Sequence, residues 1–280
     1  MAKRKAKKRT KQKLPIEHWS HSSLMAYLRN PLAWYKRYVE KIYDTPSSPA
    51  TVIGRAGHKA LEHFYSGASK ETATRLGLEY LRNVADFEIN FGKLASKRAK
   101  SARRAQMERD YLQAIGFYLA RAPKHKVVGI EARAAASVEG FLLPLKAVAD
   151  LVVESRTEPG AVDIVDHKFV DSFSKAGKHK TLFLMQALFN YHTVRENFGR
   201  PVRKFIVYEC KKSKNKDGGA QLRRYELDFE DLTEEFEVFR RLVNDATEDL
   251  ALRTRFLPNP TDMFDGEDSF ALYRLRLLDE

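Results

Sequence analysis

The stretch from Lys146 to Val170, KAVADLVVESRTEPGAVDIVDHKFV, constrains this chain more than any other. Two short β-branched runs each carry an acidic residue where a strand interior disfavours one: Asp150 within AVADLVV, and Asp166 near the end of VDIVDHKFV. Between them Glu158-Pro159-Gly160 is turn chemistry, so the unit is predicted as a β-hairpin with a slightly long loop. Adjacent strands bring Asp150 and Asp166 side by side, and alternation puts Lys168 on the face of Asp166, two residues on. Two carboxylates converging beside a lysine are the donor set of a divalent-metal site with a charged group over it. The bland alternative is a pair of acids salt-bridged to Lys168 near a turn. Apolar flanks on both acids argue against it, because buried acids are costly unless a cation neutralises them.

Three further landmarks surround the hairpin. Upstream, TVIGRAGHKALEHFY carries His58 on a predicted helix whose packed face is Ala60, Leu61, Phe64 and Tyr65. Gly54 and Gly57 predict a close backbone approach there, onto the hairpin itself. Downstream, TLFLMQALFNY is a predicted helix with Gln186. Near the start, SHSSLMAYLRNPLAWYKRYV reads as a helix capped by Ser20 or Ser22 and interrupted at Asn30-Pro31.

In this order the landmarks resemble the PD-(D/E)XK nuclease superfamily in its RecB-like branch. The signature there is an acidic residue on one strand, D/E-x-K on the next, a histidine on an earlier helix and a glutamine on a later one. The likeness spans residues 19–260 as ordered landmarks. It implies an α/β (α+β) fold: a central mixed β-sheet flanked by helices, a restriction-endonuclease-like core with a helical insertion. It also implies a catalytic set of Asp150, Asp166, Lys168 and Gln186. Mg²⁺ or Mn²⁺ would be held by His58, Asp150, Asp166 and the main-chain carbonyl of His167, whose side chain points to the opposite face. Hard oxygen ligands suit either ion, and an imidazole tilts preference toward Mn²⁺. Asp163 lies at an odd offset from Asp166 and so faces away.

The sequence departs from the branch pattern in three places. The branch often places a tyrosine four residues after the glutamine; here that position is Asn190, and Tyr191 is turned about 100° from it on a helix. Many relatives hold an iron–sulfur cluster with one cysteine near the first helix and three near the C-terminus. Here the first place is Asn30 and the stretch FLPNPTDMFDGEDSF has none, so no cluster is expected. The position three before Asp150, often glycine in relatives, is Ala147.

Charge adds the choice of partner. A net charge of +13 favours a polyanion, nucleic acid first. MAKRKAKKRTKQK carries eight Lys/Arg and no acidic residue in 13 positions, so residues 1–15 are expected as a disordered basic tail and 16–280 as the nuclease domain. Nucleic-acid contact is assigned to Arg29, Lys36 and Arg37 of the aromatic, basic first helix and to Arg103 and Arg104 of a charged helical insertion at about 69–122. Lys175, Lys178 and Lys180 before the Gln186 helix complete the set. Glu131, on a strand just upstream, is a candidate further acidic contributor, with a surface position preferred.

A single cysteine, Cys210, excludes a disulfide framework. With no long apolar run and no signal-peptide core, the expectation is a cytoplasmic protein, nucleoid-associated or in host cytoplasm if viral, with no membrane partner. The sequence thus predicts a metal-dependent deoxyribonuclease acting on single- or double-stranded DNA, first as an exonuclease in recombination, repair or phage replication. A structure-selective endonuclease on the same site, or a nucleic-acid-binding protein with a vestigial site, are the alternatives. No Walker A motif is present, so a helicase or recombination partner would be a separate protein.

Overall fold

The computed structural model describes residues 14–42, 45–175, 179–215, 218–219 and 221–259. The chain divides into two units: Met1–Ile42 with Ser137–Pro144 and Glu237–Glu280, and Tyr43–Ala136 with Leu145–Phe236. In chain order the helices are α1 His21–Arg29, α2 Pro31–Trp34, α3 Pro49–Tyr65, α4 Lys70–Asn83, α5 Lys97–Ala120, α6 His179–Phe198 and α7 Thr233–Leu252. The long strands are β1 Val127–Ala136, β2 Leu145–Glu154, β3 Val162–Val170, β4 Val202–Lys211 and β5 Leu222–Asp228.

The larger unit is built on those five strands, joined in the order in which they occur. β1, β2 and β3 run antiparallel, β3 and β4 parallel, and β4 and β5 antiparallel. The parallel pair needs a crossover, and α6 supplies it. Helices cover both faces, so the central strands are apolar on both sides rather than alternating. On one face Leu151, Val153, Val165 and Ile206 pack with Val52, Ile53 and Ala56 of α3 and with Met107, Tyr111, Ile115 and Tyr118 of α5. On the other, Val152, Ile164, Phe205 and Val207 pack with Phe183, Ala187 and Val194 of α6. The result is the mixed-sheet α/β architecture expected from the sequence. Residues 69–122 form α4 and α5, and the second half of α5 lies in the same core as the strands.

Gly57 fixes how closely α3 lies on the sheet. A Cβ at Gly57 would stand 2.2 Å from Cε2 of Phe169, on β3 next to Lys168. Only a residue without a side chain admits that approach.

In the smaller unit Ser20 caps α1, its hydroxyl accepting from the Ser23 amide at 3.2 Å. Asn30 ends α1 and caps α2, its Oδ1 accepting from the Ala33 amide at 3.1 Å, with Pro31 at the first helical position. The aromatic residues here are core. Trp19 and Trp34 are fully buried, and their indole N–H groups donate to Thr247 and Ser23, each at 2.9 Å. Tyr27 is also buried, so these rings are not free to stack on bases. The basic tail through Lys13 and the stretch from residue 260 onward lie outside the described residues.

Candidate metal centre

The β2–β3 hairpin pairs Leu151 with Val165, Val152 with Ile164, Val153 with Asp163 and Glu154 with Val162. One further step of that register sets Asp150 opposite Asp166. The turn closes through Ser155 N–H donating to Ala161 O at 3.0 Å, with Gly160 at a φ of 85°. The His167 amide donates to Asp150 Oδ2 at 2.8 Å, and His58 Nδ1 lies 3.2 Å from the same oxygen. α3 can present His58 to this carboxylate because Gly57, one residue earlier, lets the helix settle against Phe169.

Asp166 faces α6. Gln186 Nε2 donates to Asp166 Oδ1 at 2.6 Å, and its Oε1 accepts from Lys168 Nζ at 2.9 Å. Lys168 Nζ is itself 2.8 Å from Asp166 Oδ2, which closes a three-residue ring. Asn190 holds the helix there, its Nδ2 donating to the Gln186 carbonyl at 3.0 Å. Tyr191 lies elsewhere, packed on Phe229 and Phe236 with ring centroids 4.7 and 4.6 Å away. Asp163, opposite Val153, stands outside the group.

Glu131 stands beside Asp150, in keeping with its reading as a further acidic contributor and not with a surface position. In β1, Ile130 pairs with Leu151 and Ala132 with Ala149, so Glu131 falls level with Asp150. Its φ is 46°, in the left-handed region that a glutamate in a strand rarely adopts. Ligand atoms of His58, Glu131 and Asp150 all lie within 4.8 Å of one another. These three, with Arg55, Lys59, Glu62 and Tyr80, line a cleft of about 230 Å³. An imidazole and two carboxylates at this spacing fit a hard or borderline divalent cation.

A family model described as the PD-(D/E)XK nuclease superfamily matches residues 18–263. The chain belongs to the PD-(D/E)XK nuclease superfamily. For a member of this superfamily, a hairpin with two carboxylates and a lysine implies a metal-dependent nuclease with DNA as substrate. The solved crystal structure of SSO0001 is similar at 14% identity, over 91% of this chain and 93% of that one, with a TM-score of 0.32. No curated protein matches. Among the described residues, no helix is long and apolar enough to cross a membrane.

In this nuclease the charges of the site are tightly linked. Burial alone would lower the His58 pKa, but Asp150 outweighs it and holds the imidazole up at about 9. Burial would raise Asp150; His58 and the His167 donors outweigh that and keep it well below the usual carboxylate range. Asp166 moves the other way. Burial raises it, Lys168 pulls it back, Asp150 pushes it up again, and the net is upward. Glu131 is raised by burial and then by Asp150. Lys168 is raised because Asp166 outweighs the burial that would lower it. Glu131 and Asp150 converge on His58 while Asp166 meets Lys168, and a divalent ion would relieve the crowding of the first two carboxylates.

The basic residues assigned to DNA contact meet mixed fates. Arg104 is engaged within the protein: Nε donates to Asp86 at 2.7 Å and the guanidinium also reaches the Leu81 and Val84 carbonyls, closing the end of α4. Lys36 pairs with Glu40 at 2.8 Å, Lys180 pairs with Glu235, and Arg37 lies over the Tyr38 ring at 5.8 Å. The Arg29 carbonyl accepts from Asn259 at 2.9 Å. Arg103 is half-buried, Lys175 is exposed, and Lys178 lies outside the described residues. Lys36 and Arg37 meet near neighbours in sequence, whereas Arg104, Lys180 and Arg29 meet partners that only the fold brings in.

Proposed function

We propose that this chain is a RecB-like deoxyribonuclease dependent on Mg²⁺ or Mn²⁺, acting as an exonuclease in recombination, repair or phage replication. The observation that carries this reading is the closed ring of Asp166, Lys168 and Gln186 beside the Asp150–His58 pair. His58, Asp150, Asp166 and the His167 carbonyl would hold the ion, with Glu131 joining them. Once bound, the ion polarises the scissile phosphate and lowers the pKa of water.

The remaining work falls to the chain itself. Lys168, fixed by Gln186, keeps a protonated amine where negative charge grows on the phosphate oxygens. Arg55 and Lys59 line the same cleft, four residues apart on α3, and would hold the phosphates that flank the cut by exchanging their present partners Ser47 and Glu62. The reading includes a cytoplasmic location and a separate motor or recombination partner.

The test is digestion of 5′- and 3′-labelled single- and double-stranded DNA with Mg²⁺, Mn²⁺ or EDTA. Metal-dependent release of mononucleotides or short products from one end supports an exonuclease and gives its polarity. Cleavage of circular DNA would shift the reading to an endonuclease.

A further inference from the structure

The far side of the hairpin from Lys168 holds a buried polar chain that the proposed chemistry does not use. His167 is 2% exposed, and its ring lies between those of Tyr65 and Tyr208, with centroids 6.0 and 6.1 Å away and planes tilted by 25° and 19°. Its Nε2 is 2.7 Å from the Tyr118 hydroxyl, and that hydroxyl is 2.7 Å from the Tyr65 hydroxyl. Its Nδ1 is 3.5 Å from Asp150 Oδ2, the oxygen that also accepts from the His167 amide. Tyr118 is fully buried and reaches this point from the last turn of α5.

One assignment of protons serves every member of the chain. With Tyr118 donating to Nε2, the Tyr65 hydroxyl donates to Tyr118 or to the Pro123 carbonyl at 3.4 Å, and Nδ1–H faces the Asp150 carboxylate across 3.5 Å. The hydrogen bond at one ring nitrogen sets which proton the other carries. Removing the Tyr118 hydroxyl would free the ring to put its proton on Nε2, and Asp150 would then face a lone pair.

We propose that Tyr118 is a positioning residue for the metal centre: it fixes the tautomer and orientation of His167, and through His167 the carboxylate of Asp150. The proposal rests on the metal-binding reading of Asp150. It gives α5, a helix with no residue in the cleft, a role in the site. Partners in this position change metal affinity about 10- to 100-fold when removed.

The test is titration of the full-length protein with Mn²⁺, following free Mn²⁺ by electron paramagnetic resonance. Tyr118→Phe is compared with wild type and with Tyr111→Phe. Tyr111 is a matched control: it is equally buried on the same helix, and its hydroxyl donates to the Thr74 carbonyl at 2.7 Å, away from the site. Tyr118→Phe should weaken Mn²⁺ binding about tenfold or more, with Tyr111→Phe within about twofold of wild type. Tyr65→Phe, which removes the hydroxyl partner of Tyr118, should weaken binding by less and carries the test if Tyr118→Phe does not fold. Wild-type affinity in both Tyr118→Phe and Tyr65→Phe, or an equal loss in Tyr111→Phe, would overturn the proposal. A wild type that binds no Mn²⁺ would instead overturn the metal reading beneath it.

Discussion

Gln186 donates to Asp166 Oδ1 at 2.6 Å while accepting from Lys168 at 2.9 Å, so one amide on α6 ties together the acid and the lysine of the D-x-K pair on β3. An amide has one donor end and one acceptor end, and here each meets the group it suits. Gln186→Leu keeps much of the volume and loses both bonds. It is expected to lower kcat about 10- to 100-fold, with a smaller change in KM for DNA. Steady-state kinetics on a labelled duplex check this; an unchanged kcat would remove Gln186 from the site's machinery.

Gly57→Ala should destabilise the protein by about 1–3 kcal/mol, because the new methyl group collides with the Phe169 ring. Pairing it with Phe169→Leu should recover part of that loss, since the clash is with the ring alone. Denaturant unfolding of the two single variants and the double variant measures the coupling. Strict additivity would mean that α3 and β3 do not meet there.

Glu131 combines a left-handed backbone with a carboxylate placed against Asp150. Asparagine tolerates that conformation better and carries no charge. Glu131→Asn is therefore expected to raise the thermal midpoint in EDTA and to weaken Mn²⁺ binding. A lower midpoint together with unchanged Mn²⁺ binding would show Glu131 to be structural.

His125 and His192 are both lowered to about 4, mainly by burial. Each is neutral in the fold, and each charges near its ordinary value of 6.5 once unfolded. The unfolded chain therefore binds more protons between pH 6.5 and 4, and folding stability falls as pH drops through that window. The thermal midpoint should decline as pH falls below about 6.5, and His192→Gln should make that decline shallower. A slope unchanged by that substitution would exclude His192 as a contributor.

The hairpin was legible because β-branched runs, a Glu-Pro-Gly turn and misplaced acids are local signals, and they bring Asp150 and Asp166 opposite each other. Gly57 was legible as a close approach, although not as one to Phe169. Glu131 was not, because no neighbouring residue signals a left-handed turn in the middle of a strand. The Tyr118–His167 bond joins residues 49 positions apart, and no sequence period reports such a pairing. The intramolecular partners of Arg104 were not legible for the same reason: it meets Asp86 and two carbonyls only once α4 and α5 have packed.

The most direct measurement is cleavage and binding of the same labelled DNA by wild type and Asp166→Asn, with Mg²⁺, Mn²⁺ or EDTA. Wild type should cut only when metal is present, and the variant should bind DNA comparably but cut at least about a hundredfold more slowly, on the order of a lost catalytic group. Cleavage by wild type in EDTA, or undiminished cleavage by Asp166→Asn, would contradict it.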